Sequence, residues 1–147
     1  MKTVAIIGGG FSGTITAVNL VRLSKLPLRI VIVNSGYPLG RGVAYGTSRP
    51  EHLLNVVARN MSALADLPTH FVDWLRTRSE FAATPDEELR ERFVPRSIYG
   101  DYLQSLLFWF SSGVGGETTI SRVEGEAIDV EPVGGRARVV LAGGETI

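Results

Sequence analysis

Residues 3–13 read TVAIIGGGFSG, and this stretch decides the fold. Thr3 to Ile7 is a short apolar, largely β-branched run stopped by glycine, the pattern of a buried parallel strand. From Phe11 to about Lys25 the period lengthens, with Ile15, Val18 and Val21 along one side and Ala17 and Leu20 filling in the stripe, and Pro27 lies just beyond. That spacing predicts a helix. Leu28 to Val33, LRIVIV, reads as the next strand. Strand, tight turn, helix and strand within about 30 residues make a βαβ unit.

The turn between the first strand and the helix carries G-x-G-x-x-G, with Gly8, Gly10 and Gly13 in the three glycine positions. Each has a separate physical task. The first permits a sharp turn, the second admits a pyrophosphate close to bare backbone, and the third lets the helix lie against the strand. The helix start adds unpaired N–H groups and the positive end of its dipole. Gly8, Gly9, Gly10, Phe11, Ser12 and Gly13 are therefore the expected phosphate-binding residues of a dinucleotide site. Some 20 residues past the glycines, such sites offer Asp or Glu to the adenosine ribose. Asn34 stands there, with Ser35 beside it, and both join the expected cofactor set. An amide oxygen accepts from a hydroxyl with roughly half the strength of a carboxylate.

Composition narrows the chemistry. With 147 residues the chain suffices for one ordinary domain. A formal net charge of zero disfavours nucleic acid and anionic lipid as partners. The chain has no cysteine and two histidines, so thiolate sites and histidine-built metal centres are not expected. Any redox chemistry then belongs to a bound cofactor. The apolar runs fall short of a membrane span of about 20 residues and of a secretory h-region, and the expected location is the cytoplasm.

Beyond the βαβ core of residues 2–34, a loop and helical segment is expected over 35–113 and a β-hairpin region over 117–147. Residues 35–68 are rich in Gly, Pro, Asn and Ser and show no long periodic run, apart from a short helix expected over 58–65. Helices are expected over 69–78, over 85–92 behind the capping-box pattern Thr84-Pro85-Asp86-Glu87, and over 97–111. Strands follow at 121–131 and 136–141 around Gly134-Gly135, with another beginning at 145. Within the last helix Leu106-Leu107-Phe108-Trp109-Phe110 is apolar on every side. That run is expected to leave an exposed patch, covered by a further domain or by a second subunit docking through residues 103–110.

The excursion after the second strand departs from a plain nicotinamide unit, where another helix and strand follow at once. FAD is longer than NAD and needs more chain to cover its ribityl and ring portions. On IIGGGFSG, GRGVAYGT (residues 40–47), HLLNVVARNMSAL (residues 52–64), FVDWL (residues 71–75) and VPRSIYGDYL (residues 94–103), nearly the whole chain resembles the N-terminal part of a family of FAD/NAD(P)-binding bacterial flavoproteins, distantly similar to flavin-dependent monooxygenases. The resemblance implies an α/β, Rossmann-like, glutathione-reductase-like FAD domain of three-layer ββα type, with a helical insertion and a C-terminal antiparallel β-meander. It implies an incomplete domain, a fragment or a truncated homologue, because residue 147 falls within the meander, before the parallel strand that follows it in such domains. It also implies FAD as cofactor, NAD(P) as electron donor through a domain outside this segment, and flavin-dependent oxidoreductase activity of unknown substrate. A nicotinamide-only dehydrogenase domain and a non-catalytic nucleotide-binding or interaction module stay open as alternatives.

Among the remaining residues, Arg41 lies between two glycines and is expected at the pyrophosphate or beside the flavin, with Gly42 next to it. Asn55, Met61 and Ser62 fall where the family places chain near the cofactor, and flavin contact and loop packing both stay open for them. For Tyr45, stacking on a ring and anchoring the loop are equally open. His52, without a partner in sequence, is expected to be a structural or surface residue. For Arg96, ahead of the last helix, a surface position is expected, with phosphate contact as the alternative.

Overall fold

The computed structural model describes residues 1–114 and 116–147. Its elements in chain order are β1 (Lys2–Ile7), α1 (Phe11–Leu23), β2 (Leu28–Asn34), the single turn α2 (Gly42–Tyr45), a 3-10 turn (Ala58–Asn60), α3 (His70–Arg76), α4 (Asp86–Arg90), α5 (Arg96–Trp109) running into a π-helical turn (Phe110–Val114), then β3 (Thr119–Glu124), β4 (Ala127–Val133) and β5 (Arg136–Leu141).

The first sheet is wholly parallel in the order β1-β2-β3. Lys2 pairs with Leu28 and Ile7 with Val33, while Arg29 pairs with Thr119 and Asn34 with Glu124. β2 is central and buried on both faces, and its alternate residues serve two cores. Leu28, Ile30 and Ile32 pack with Ala17 and Val21 of α1 and Leu107 of α5. Val33 packs instead with Val139 and Leu141 of the hairpin β4–β5. The period of two thus assigns one face of the strand to a helical layer and the other to an antiparallel layer. Ala17 is fully buried where α1 meets the sheet.

The run 121–131 does not form one strand. Its first part belongs to β3, the third parallel strand, and the chain bends at Gly125 before β4 begins. A period of two is the same in either partner, so alternation alone does not reveal which sheet a strand joins. The hairpin turn at Gly134 and Gly135 has positive φ at both positions, +55° and +77°, as a tight two-residue connection requires. Residues 145–147 return along β5, with mutual N–H···O bonds of 3.0 Å between Val139 and Ile147 completing the meander.

Helix limits differ from the periodicity at their ends. α1 stops at Leu23, with the Ser24 N–H on Leu20 O. α3 spans seven residues and α4 five. The capping box ahead of α4 is not made: Pro85 itself takes the N-cap position, which leaves Thr84 outside the helix. A third core gathers Leu54, Leu64, Phe71, Leu75 and Leu89 around Tyr99, Tyr102 and Leu103 of α5. This core ties the excursion and the short helices to the βαβ unit. Among the described residues no helix is long and apolar enough to cross a membrane.

Candidate functional site

The glycine turn sits at the strand-to-helix junction between β1 and α1. Gly8 has φ +95° and donates its N–H to Val33 O at 2.8 Å. A side chain at Gly13 would place its Cβ 1.9 Å from Gly8 O, so only glycine allows this approach of α1 to the strand end. Gly9 is buried, and its N–H donates to Asn34 Oδ1 at 2.9 Å. Gly10 is the N-cap and offers no side-chain cap, and the first turn of α1 holds no acidic residue. Among the described residues, the N–H groups of Gly10, Phe11, Ser12 and Gly13 find no acceptor. Phe11 and Ser12 are exposed. Four orphan donors at the open end of a 13-residue helix are an anion site made of backbone.

The segment after β2 folds back over this turn. Gly40 donates its N–H to Gly9 O at 2.7 Å, and Gly42, at φ +55°, lies so close that its Cβ would come 3.0 Å from Gly10 Cα. A glycine therefore faces a glycine, and the gap between turn and loop is backbone on both sides. Gln104 of α5 holds the loop through Leu39 O at 2.9 Å.

Asn34 occupies the ribose position in chain order, yet both ends of its amide are engaged locally. Besides accepting from Gly9, it donates from Nδ2 to Tyr37 O at 2.7 Å, and the side chain is buried. It staples the glycine turn to the exit of β2. A carboxylate has no donor for Tyr37 O, which is the physical reason for asparagine here. Ser35, the next residue, is exposed.

Arg41 is turned toward α5. Its guanidinium donates to Ser97 O at 3.0 Å and Tyr45 O at 3.4 Å, and it pairs with Asp101, which also takes Arg78 at 3.4 Å. The expectation of a pyrophosphate or flavin contact did not foresee this network, which joins residues far apart in sequence. In this geometry the side chain anchors the loop to the helix.

Past the loop lies a cavity of about 220 Å3, lined by Tyr45, Leu54, Asn55, Met61 and Arg96 among others. Asn55 and Met61, far from the glycine turn in sequence, thus meet at one wall. Ser62 is engaged elsewhere, donating to Leu67 O at 2.7 Å. Arg96 is half-buried rather than a free surface residue: Nε donates to Leu53 O at 3.0 Å and Nη2 to Asn55 Oδ1 at 3.1 Å. No carboxylate pairs with it among the described residues. Tyr45 connects this cavity to the turn, its ring 6.5 Å from that of Phe11 and 4.8 Å from that of Tyr99. Burial raises the Tyr45 pKa, opposed by the Arg96 charge, so its hydroxyl stays protonated near neutral pH. His52 is exposed, with Thr47 Oγ1 2.8 Å from its Nδ1. The role of Arg96 was missed because its partners lie some 40 residues upstream, joined through the bridge between Leu53 and Pro95. Among the described residues no group of three His, Cys, Asp or Glu side chains is arranged to hold a metal.

The FAD-NAD(P)-binding family matches residues 5–147. No curated protein matches the chain. Among solved structures, the chain is similar to the lysine monooxygenase NbtG from Nocardia farcinica, with TM-score 0.60, 13% identity, and coverage of 100% of this chain and 41% of that one. A flavin-dependent halogenase from Xanthomonas campestris gives TM-score 0.53 and 13% identity, over 99% of this chain and 40% of that one. At such identity the likeness is one of fold, and the chain spans about two fifths of either relative's length.

Proposed function

Because the chain belongs to the FAD-NAD(P)-binding family, we propose that it is the FAD-binding portion of a flavin-dependent oxidoreductase, with the diphosphate of FAD at the glycine turn. The observation that carries this reading is the set of unpaired N–H groups on Gly10, Phe11, Ser12 and Gly13, facing a turn kept clear of side chains by Gly8 and Gly42. An anionic diphosphate supplies acceptors for these donors and complements the positive helix end. The residues present fit such a group, since a Cβ on Gly13 would close the turn against Gly8 O.

The choice of FAD over a nicotinamide dinucleotide rests on what lies past the turn. The loop of residues 40–47 and the cavity beyond it give a longer ligand somewhere to extend, with Asn55 and Met61 along its course. Ser35, next to Asn34, offers an exposed hydroxyl to the adenosine ribose, and Asn34 holds the turn in shape for it. When bound, the flavin supplies the electron-transfer chemistry, with NAD(P) as electron donor through a part of the protein outside this segment. The chain's own part is to bind, orient and shield it. Arg96 adds a positive charge at the cavity wall that no carboxylate pairs with among the described residues, and Tyr45 presents a neutral ring and hydroxyl there.

Purified protein tests this directly. FAD is expected in the supernatant after denaturation, and added FAD is expected to raise the melting temperature. Saturation at about 100 times Kd corresponds to about 2.7 kcal/mol. Stabilisation by NAD or NADP with none by FAD would make the domain nicotinamide-only. Colourless protein stabilised by no dinucleotide would make it a non-catalytic module.

A further inference from the structure

A second and larger cavity, of about 420 Å3, lies at the opposite end of α1. Arg22, on its wall, is eleven residues beyond Phe11, which places the two sites about 16 Å apart along the helix. The dinucleotide reading makes no use of it. Its walls are chiefly aromatic and aliphatic, with Trp74, Trp109 and Phe110 among them, and both tryptophans of the chain are there. Three polar side chains interrupt the apolar lining. Ser105 spends its hydroxyl on Tyr102 O at 2.7 Å, which leaves two whose partners are in question.

The first is His70. Its Nδ1 lies 2.9 Å from the hydroxyl of Tyr102, which also takes the Ala63 N–H at 3.4 Å. Nε2 makes no hydrogen bond within the described residues, and in the tautomer where the Tyr102 hydroxyl donates to Nδ1 it carries the ring proton. Burial lowers the imidazole's pKa, so the ring is neutral at pH 7, and in that tautomer Nε2 is a donor without an acceptor among the described residues. The second is Arg22, whose side chain is 15% exposed. It spends one N–H on Asn19 and one on Asp66, a carboxylate that is itself 62% exposed, and the rest of its five donors stay available. A mostly apolar chamber with a few convergent polar groups has the character of a small-molecule site, and this volume is within the range such sites occupy. Trp74 is held within the protein, with Arg78 over its ring at 5.1 Å and Phe71 stacked at 6.1 Å, so the walls favour a planar ring that stacks on Trp109 and Phe110 and meets Trp74 at its edge. Donors without free acceptors favour an anionic oxygen pair on that ring.

We propose that this cavity binds a planar aromatic carboxylate, its ring against the tryptophan and phenylalanine walls and its carboxylate toward Arg22 and His70. The site is separate from the glycine turn and is filled whether or not a dinucleotide is bound there.

Because both indoles line the cavity, tryptophan emission reports on its occupancy. The protein is titrated with trans-cinnamate and, for comparison, with cinnamyl alcohol, exciting at the red edge of indole absorption. A saturable change in emission is expected, with cinnamate bound about tenfold more tightly than the alcohol. Arg22→Met is expected to erase that preference while ring binding persists. Ser105→Phe, which puts a ring into the same space, is expected to abolish both responses while circular dichroism stays native. Should that variant fail to fold, Arg22→Met decides alone. An unsaturable response, an acid no tighter than the alcohol, or an unaltered response in a folded Ser105→Phe protein overturns the proposal. So does emission that shifts with protein concentration and not with ligand, since a second copy would then occupy the cavity.

Discussion

The two ends of α1 are built on opposite plans. At the N-terminal end the glycine turn presents backbone alone: Gly8, Gly10 and Gly13 on one side, Gly42 on the other, and four N–H groups without acceptors among the described residues. At the C-terminal end the chamber is made of side chains, with Trp74, Trp109 and Phe110 as walls and His70 and Arg22 as polar points. The first plan recognises a charge through a helix dipole and donors that every residue type supplies, so its selectivity depends on what is absent. The second recognises a shape and depends on what is present. Substitutions should therefore act differently at the two ends. At the first the addition of a single methyl group is damaging, whereas at the second removal of one polar group changes selectivity and only a side chain large enough to fill the cavity abolishes binding.

The largest effect is expected from Gly13→Ala. The new methyl group has backbone Gly8 O at 1.9 Å, and neither partner can rotate away. A cost at the upper end of the overpacking range, about 3 kcal/mol, is expected together with loss of dinucleotide binding. Thermal melting with and without FAD measures both, and an alanine variant that melts and binds as the parent does would break the contrast between the two ends.

Asn34→Ala comes next. It leaves the buried Gly9 N–H without an acceptor and Tyr37 O without its donor, a loss of about 2 kcal/mol. Asn34→Asp sharpens the point. It keeps an acceptor for Gly9 but sets a carboxylate against Tyr37 O, so it too should be less stable than the parent near neutral pH. If Asn34→Asp instead matched the parent in stability and tightened FAD binding, the residue would be a ribose ligand before it is a staple.

The smallest effect belongs to the other end. Burial holds the folded-state pKa of His70 below its ordinary value of 6.5, with the Asp73 charge opposing. The unfolded chain then binds the proton more readily. Stability is accordingly at its full value above about pH 6.5 and declines as the pH falls from there toward the folded pKa. Denaturant titrations of the parent and of His70→Gln across this window should show the shallower pH dependence in the variant. Equal slopes would mean that the imidazole is not desolvated.

The exposed rings of Phe108 and Trp109, 74% and 61% accessible, adjoin this end of the molecule. The all-round apolar run in the sequence resolves into Leu106 and Leu107 facing inward and these two facing out. Both halves of that division follow from a helix packed on one side only.

The amino-acid sequence by itself determined β1, α1, β2 and the glycine turn, because each rests on local pattern: β-branched runs, a helical stripe, and glycines where a Cβ cannot fit. Even so, it did not distinguish β3 from β4, since a period of two is blind to the partner strand and only the bend at Gly125 separates the two sheets. In residues 35–68 there was little periodicity to read. There the tertiary structure decided the outcome: Leu54 N–H on Val94 O, Ala58 N–H on Arg92 O, Gly40 N–H on Gly9 O, and Arg41 on Asp101 of α5. An arginine between glycines reads as a pyrophosphate or flavin ligand, and what the sequence does not show is that a carboxylate 60 residues later pairs with it. An asparagine at a strand end reads as a ribose contact, and what the sequence does not show is that Gly9 and Tyr37 engage both ends of its amide. Local conformation is set by the residues that adopt it. The partner of a polar side chain is set by whichever distant group the fold carries into reach, and burial then makes that pairing costly to break.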